Sequence, residues 1–410
     1  MIKSLSIFYL EVSGLKRLEQ ILTEFFRTGD VILLSLCVGA SLYGIALIYS
    51  TTRWTGGMRS VLVQSIALII GIILYIAMTF VDVHHLVERC WKPMLAFDVG
   101  FLLLLLTPLG TDNGSGNLNW LALDKIIPGF PLDFQPNEIV KIPFIILLAY
   151  QITRLQELRR PLSSIPSVAQ LGAHTLLMVG LIAVICGDMG MCLVYTSIFL
   201  IMAWIAGIKA HWFAIGGIAA GGLGWLAWNT IFQTKRFEYI RMRILVVFDH
   251  NLDPLDKGFH QNRSLLTLGS GQLTGQGYLN GTQTQAPYSS ALPARHTDFI
   301  FSACGEELGL LGCAAILLLL TAIILRCFYV GRRSNAPFSA YVAIAFGGML
   351  LIQTVFNVGM CLYVLPVMGL TLPFFSYGGS SLITLFWAMG VVSSIKARSL
   401  PSWLKDRSLI

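Results

Sequence analysis

Apolar residues recur along this chain in runs long enough to cross lipid, and one long polar stretch interrupts them. About 20 residues of helix span roughly 30 Å of hydrocarbon. Runs of that order fall near 31–50, 61–81, 94–109, 138–152, 168–186, 189–207, 212–230, 308–326, 338–362 and 379–395. The pattern predicts an all-α polytopic membrane protein with about ten transmembrane helices. The break lies between the seventh and eighth, where residues 231–307 hold 14 of the 49 Asp, Glu, Lys and Arg residues. Charge in the hydrocarbon core costs several kcal/mol per group, so chemistry is expected in this hydrophilic loop beside the membrane. The chain thus divides into a segment 1–30, one membrane domain 31–398 that includes the loop, and a tail 399–410.

Composition removes the soluble alternative: 55% of residues are apolar, 12% are charged and the mean hydropathy is +0.73. Charge then sets orientation. Ten helices put both termini on one side, and with that side cytoplasmic the inner segments hold about 17 cations. The short outer loops hold Arg53, Arg59 and Lys125. Long loops translocate regardless of charge, so the seven cations of the 231–307 loop do not enter the count. The expectation is cytoplasmic termini and an extracellular loop. The net charge of +7 becomes a topology signal, and nucleic acid is not an expected partner. The first 30 residues show no small-residue cleavage site, so no removable signal is expected.

Other chemistry-bearing patterns are weak. The eight cysteines are scattered without a C-x-x-C pair, which fits packing. The histidines lack metal-ligand spacing, since adjacent His84 and His85 point to different helix faces. No internal repeat is visible. Nothing resembles a Walker A loop, so a reaction here runs on energy already stored in the substrate. The run Gly269–Gly277, reading GSGQLTGQG, offers either backbone N–H groups to a phosphate or simply a tight turn.

Three segments carry more. Leu365–Ser381 reads LPVMGLTLPFFSYGGSS; Leu292–Phe301 reads LPARHTDFIF, followed by EELG at Glu306–Gly309; and Phe134–Lys141 reads FQPNEIVK. Together they closely resemble the shape, elongation, division and sporulation family, the RodA, FtsW and SpoVE proteins, over about residues 30–398. That resemblance implies a peptidoglycan glycosyltransferase of the bacterial plasma membrane, acting on lipid II beside a class B penicillin-binding protein, among membrane lipid. A RodA-like elongation role is slightly favoured by the short loops and short tail.

Under this resemblance Asp298 matches the family's essential aspartate. It is expected either as the general base for the attacking sugar hydroxyl, or as ligand of a divalent cation such as Mg²⁺ that holds the diphosphate. The expected substrate contacts are Lys141, Glu138, Arg243, Arg263, Arg295 and Trp120, with Ser376, Gly378, Gly379 and Ser380 shaping the cavity. Glu138 and Lys141, three apart on one helix face, form an internal ion pair or turn to a substrate phosphate. Glu306 and Glu307 are expected to sit at a helix start, where the dipole favours negative charge. Asp188, in GDMG, reads as a turn or cap, and Asp98 is expected to find a hydrogen-bonding partner in the bundle. Gln353 and Asn357, four apart, are expected to bond between helices.

Some positions depart from the family pattern: Ala294 where Glu is common, Asn119 where Arg is usual, Gln276 where Lys is common, and His260 and Arg263 in place of Gln. Two other functions stand beside the polymerase. A lipid II flippase would use Asp98, Glu138, Lys141 and Asp188 as stations of a polar path, and a non-catalytic scaffold for a penicillin-binding protein would need only helical faces.

Overall fold

The computed structural model describes residues 19–54, 57–112, 118–122, 134–230, 232–234, 238–249, 258–288 and 291–399. Ten helices correspond to the ten apolar runs: α1 (Val31–Thr52), α2 (Gly57–Phe80), α3 (Val83–Leu103), α4 (Pro136–Glu157), α5 (Ile165–Leu181), α6 (Met189–Ile205), α7 (Ala210–Asn229), α10 (Ile300–Arg332), α11 (Pro337–Cys361) and α12 (Gly379–Arg398). A π-turn, Ile182–Cys186, prolongs α5. By length and composition α1, α2, α5 with its extension, α10, α11 and α12 are able to cross a membrane. The protein is an all-α polytopic membrane protein. A hairpin of β1 (Gly110–Thr111) and β2 (Trp120–Leu121) lies between α3 and α4.

The polar stretch 231–307 is not loop alone. It contains α8 (Glu238–Phe248), α9 (Phe259–Ser270) and the start of α10. Two helix boundaries also differ from the hydropathy reading. The third helix begins at Val83, not near 94, because Asp82 caps it by accepting the His85 N–H at 3.1 Å. Hydropathy locates the apolar stretch, whereas capping decides where the helix starts. The eighth begins at Ile300, not 308, and is broken at Gly309 (φ 67°, ψ −163°). That backbone region is essentially restricted to glycine.

The core forms where small residues admit close approach. α12 lies along α2 and α4, α10 packs against α1 and α11, and α11 against α4 and α6. A Cβ on Gly390 would stand 2.9 Å from the Tyr75 backbone, so α12 seats against α2 only with glycine there. One buried ion pair fastens the end of the bundle opposite the polar stretch. Asp30 caps α1 and takes two hydrogen bonds from the Arg326 guanidinium, each 2.9 Å. In contrast, α7 has no buried residue.

Candidate active site

The Leu292–Phe299 turn and the Leu370–Gly378 loop are joined by hydrogen bonds on both sides of Asp298. Asn357, from α11, donates through Nδ2 to the carbonyls of Asp298 (2.9 Å) and Leu370 (2.7 Å). Ser376 Oγ donates to the Thr297 carbonyl at 2.6 Å and accepts the Leu372 N–H at 2.8 Å. The Tyr377 N–H donates to the His296 carbonyl at 2.8 Å. From α2, Gln64 donates to the Ser376 carbonyl (3.2 Å) and accepts from the Gly378 N–H (3.1 Å). The backbone around Asp298 is therefore fixed from two helices and the 370–378 loop, and the expected inter-helix role of Asn357 becomes a tie between two loops.

The Asp298 carboxylate is the part left unfastened: among the described residues no hydrogen bond reaches its oxygens. Burial pushes its carboxyl up to about 6, the charge of Asp188 adds to the rise, and Arg243 opposes it. Asp188 is the connecting group. It caps α6, accepting the Met191 N–H at 3.0 Å and the Asn137 amide at 3.2 Å, and burial likewise raises its carboxyl to about 6. Glu138 and Lys141 act on it electrostatically as well. Its turn is pressed against the 365–378 loop, since a Cβ on Gly190 would meet the Met368 carbonyl at 2.5 Å. The sequence offered Asp188 as a turn or cap, or as a station of a flippase path; its place between Asp298 and α4 had no sequence signal beyond the partial GDMG match.

Lys141 and Glu138 are both buried in α4, with Nζ 2.6 Å from Oε2. The contact is off the direction of a hydrogen bond, and no acceptor among the described residues takes the other ammonium protons. The Ser381 hydroxyl, on α12, reaches the same carboxylate at 3.4 Å. Gly378 precedes α12, Gly379 begins it, and Ser380 follows with a buried hydroxyl that has no partner among the described residues. Arg243, exposed on α8, reaches the Val367 carbonyl at 3.5 Å, so α8 brings a cation to the rim of the Asp298 site.

The remaining candidates lie elsewhere or face elsewhere. Arg263, on α9, stacks over Phe259 with 5.2 Å to the ring centroid. Arg295 is buried and donates to the carbonyls of Ala286 (2.8 Å) and Gln283 (3.2 Å), where Glu306 and Glu307 act on its charge. Trp120 pairs with Thr111 in the β-hairpin.

Two expectations are corrected, and one open alternative is decided. Glu306 and Glu307 do not sit at a helix start: they end the first half of α10, just before the Gly309 break, where the dipole disfavours acids. Hydrogen bonds compensate. Glu306 accepts from Thr282 Oγ1, Gln283 N, Thr284 N and Thr284 Oγ1 at 2.6–2.9 Å. Glu307 accepts from Ser50 Oγ at 2.6 Å and Gln285 Nε2 at 2.7 Å. Of the two readings of the glycine run, the structure shows the tight turn. The N–H groups of Gln276 and Gly277 donate to the Glu306 and Glu307 carbonyls (2.8 and 3.0 Å), capping the broken helix. Asp98 is buried with both oxygens unpartnered among the described residues, so the expected partner is absent there.

The donor set limits any metal. Among the described residues no three His, Cys, Asp or Glu side chains gather to hold an ion. Protein ligands alone do not make a cation cage at Asp298; substrate oxygens would have to complete it.

Comparison with known proteins agrees with this architecture. The profile of the cell cycle protein family FTSW_RODA_SPOVE matches residues 28–400. A probable peptidoglycan glycosyltransferase FtsW of Geobacter sulfurreducens is 31% identical over 90% of this chain and 95% of its own length. The peptidoglycan glycosyltransferase MrdB of Escherichia coli K12 is 30% identical over 89% of this chain and 93% of its own. A chain from a peptidoglycan synthase complex, solved in work on the coordination of polymerization and crosslinking, superposes with TM-score 0.74. It is 27% identical, over 90% of this chain and 98% of that one. The fold of the rod shape determining protein RodA of Thermus thermophilus also matches, with TM-score 0.65 at 24% identity over 91% and 98% of the two chains.

Proposed function

The chain belongs to the FtsW, RodA and SpoVE family of cell cycle proteins, and from that premise we propose that it is a peptidoglycan glycosyltransferase polymerising lipid II at the outer face of the bacterial plasma membrane. The product strands serve cell-wall elongation or division. One observation carries the assignment of roles: Asp298 has a rigidly held backbone and a carboxylate without hydrogen-bond donors, with its pKa near 6. A base in that range matches the operating pH of a proton acceptor.

In the reaction, a sugar hydroxyl of one lipid-linked unit attacks the anomeric carbon of another. The new carbon–oxygen bond forms as the bond from the anomeric carbon to the lipid diphosphate breaks, and Asp298 takes the hydroxyl proton. The departing diphosphate carries negative charge, for which the proposed cations are Arg243, whose charge acts on Asp298, and Lys141, whose charge acts on Asp188. Lys141 suits this because its buried ammonium has protons to offer beyond the Glu138 contact. In the other form of this proposal Asp298 would hold a Mg²⁺ ion that would supply positive charge against the diphosphate, separated from the first by the dependence of binding on added Mg²⁺.

The excess of cations in the short segments on the side of the termini supports cytoplasmic termini and an outward Asp298 face. A class B penicillin-binding protein is the proposed partner, docking on lipid-facing side chains of α11 such as Leu351 and Val355, both exposed. Reconstituted protein with labelled lipid II tests the function: growth of glycan chains supports the polymerase, transbilayer movement without growth indicates a flippase, and neither leaves a scaffold.

A further inference from the structure

The end of α4 away from Asp298 carries a second polar constellation. Between α3, α4 and α5 lies a cavity of about 300 Å³, lined by Trp91, Tyr150, Gln151, Arg154, Arg160 and Gln170 together with leucines of α4. Lys141 and Arg154 are 13 residues apart on one helix, which places the two sites about 20 Å apart along its axis. This cavity is therefore outside the catalytic machinery and toward the face where the short, cation-rich segments lie.

Its cations are uncompensated: among the described residues no acid pairs with Arg154 or Arg160. Arg154 is held over Tyr150, 5.9 Å from the ring centroid, and donates to its hydroxyl at 3.3 Å. Arg160 is fixed by the helix end itself. Its N–H donates to the Leu155 carbonyl at 3.0 Å, and the turn that allows this puts Arg159 at φ 52°, a region in which a non-glycine residue is strained. Arginines at a helix C-terminus are also favoured by the dipole and by snorkelling. That bland reading does not account for Gln151, whose Oε1 is buried in the same wall with no hydrogen-bond partner among the described residues. A buried carbonyl oxygen calls for a donor.

We propose that this cavity binds the headgroup of an anionic phospholipid bearing free hydroxyls, its phosphate between Arg154 and Arg160 and a headgroup hydroxyl donating to Gln151. About 300 Å³ is at the small end of ligand pockets, enough for a headgroup and not for acyl chains. The chains would continue over exposed apolar residues such as Leu158. Basic pockets between transmembrane helices, flanked by interfacial Trp and Tyr, are suited to such headgroups.

The test uses the full chain in nanodiscs made from equimolar phosphatidylglycerol and phosphatidylcholine of matched acyl chains. The lipid retained on gentle detergent extraction is counted by mass spectrometry. The wild type should retain phosphatidylglycerol at least fivefold over phosphatidylcholine, and Arg154→Gln with Arg160→Gln should lose most of that preference. Gln170→Glu, which adds an acid at the exposed rim, should weaken retention with both arginines kept. Equal retention of the two lipids by the wild type, or an unchanged preference in both variants, overturns the proposal. Displacement of the retained lipid by millimolar inorganic phosphate would assign the site to a free anion and overturn the lipid assignment.

Discussion

Asp298 and Glu306 lie eight residues apart in one polar segment, and the protein treats their carboxylates in opposite ways. Glu306 accepts four hydrogen bonds from three consecutive residues, 282–284. Asp298 is surrounded by bonds to its backbone and its neighbours' backbone, while none from the described residues reaches its carboxylate. A carboxylate whose acceptor sites are filled cannot take a proton readily; its contribution is structural. One that is desolvated and left without donors is destabilising in its ionised form, and that cost is the physical origin of its basicity. Under the proposed function, the difference separates fastening from chemistry within one polar segment.

The contrast breaks most visibly at Glu306. Glu306→Ala strands four donors beneath the 282–284 turn, with an expected loss on the order of 4 kcal/mol, read as a large fall in melting temperature in detergent. Lys141→Ala leaves the buried Glu138 charge alone and should cost about 3 kcal/mol. The pair Glu138→Gln with Lys141→Met should recover much of that stability but not lipid II binding; normal binding by the double variant would remove Lys141 from the site. Gly309→Ala adds a Cβ that would collide with the Gly275 amide nitrogen at a positive φ, for a loss of about 2 kcal/mol. Arg243→Ala should leave folding unchanged and move the acid limb of the rate profile to higher pH, because Arg243 holds the Asp298 carboxyl down.

The linkage of Asp298 acts with the opposite sign. Its carboxyl is raised from 3.8 to about 6 on folding, so between these values the folded state binds more protons than the unfolded one. Stability is then favoured below about 3.8 and falls as pH rises through about 6. Asp298→Asn should remove that slope, measurable as melting temperatures that converge with the wild type in acid and exceed it at neutral pH.

Apolar runs made the ten helices and their order legible, and the LPARHTDFIF and PFFSYGGS segments made Asp298 and its supporting loop legible. What stayed hidden depends on backbone geometry. Gly309 is one small residue inside an apolar-looking segment, and nothing in the sequence says that the helix breaks there. Without the break, Glu306 and Glu307 read as the start of a helix rather than the end of one, and the 269–277 run stays open between a ligand loop and a turn, with no sign that it caps a helix. Burial of Asp188 between α4 and the 365–378 loop is a tertiary contact between segments about 180 residues apart, which periodicity does not encode.

The most direct measurement compares wild type and Asp298→Asn at equal reconstituted amounts, following glycan chain growth from labelled lipid II across pH values on both sides of 6, with melting temperature recorded for each protein. The wild-type rate should fall on the acid side of about 6. The Asn variant should be slower by about 10² to 10⁴ at neutral pH, as for loss of a general base, with no loss of thermal stability. A variant that polymerises at the wild-type rate would contradict the account, whatever its melting temperature.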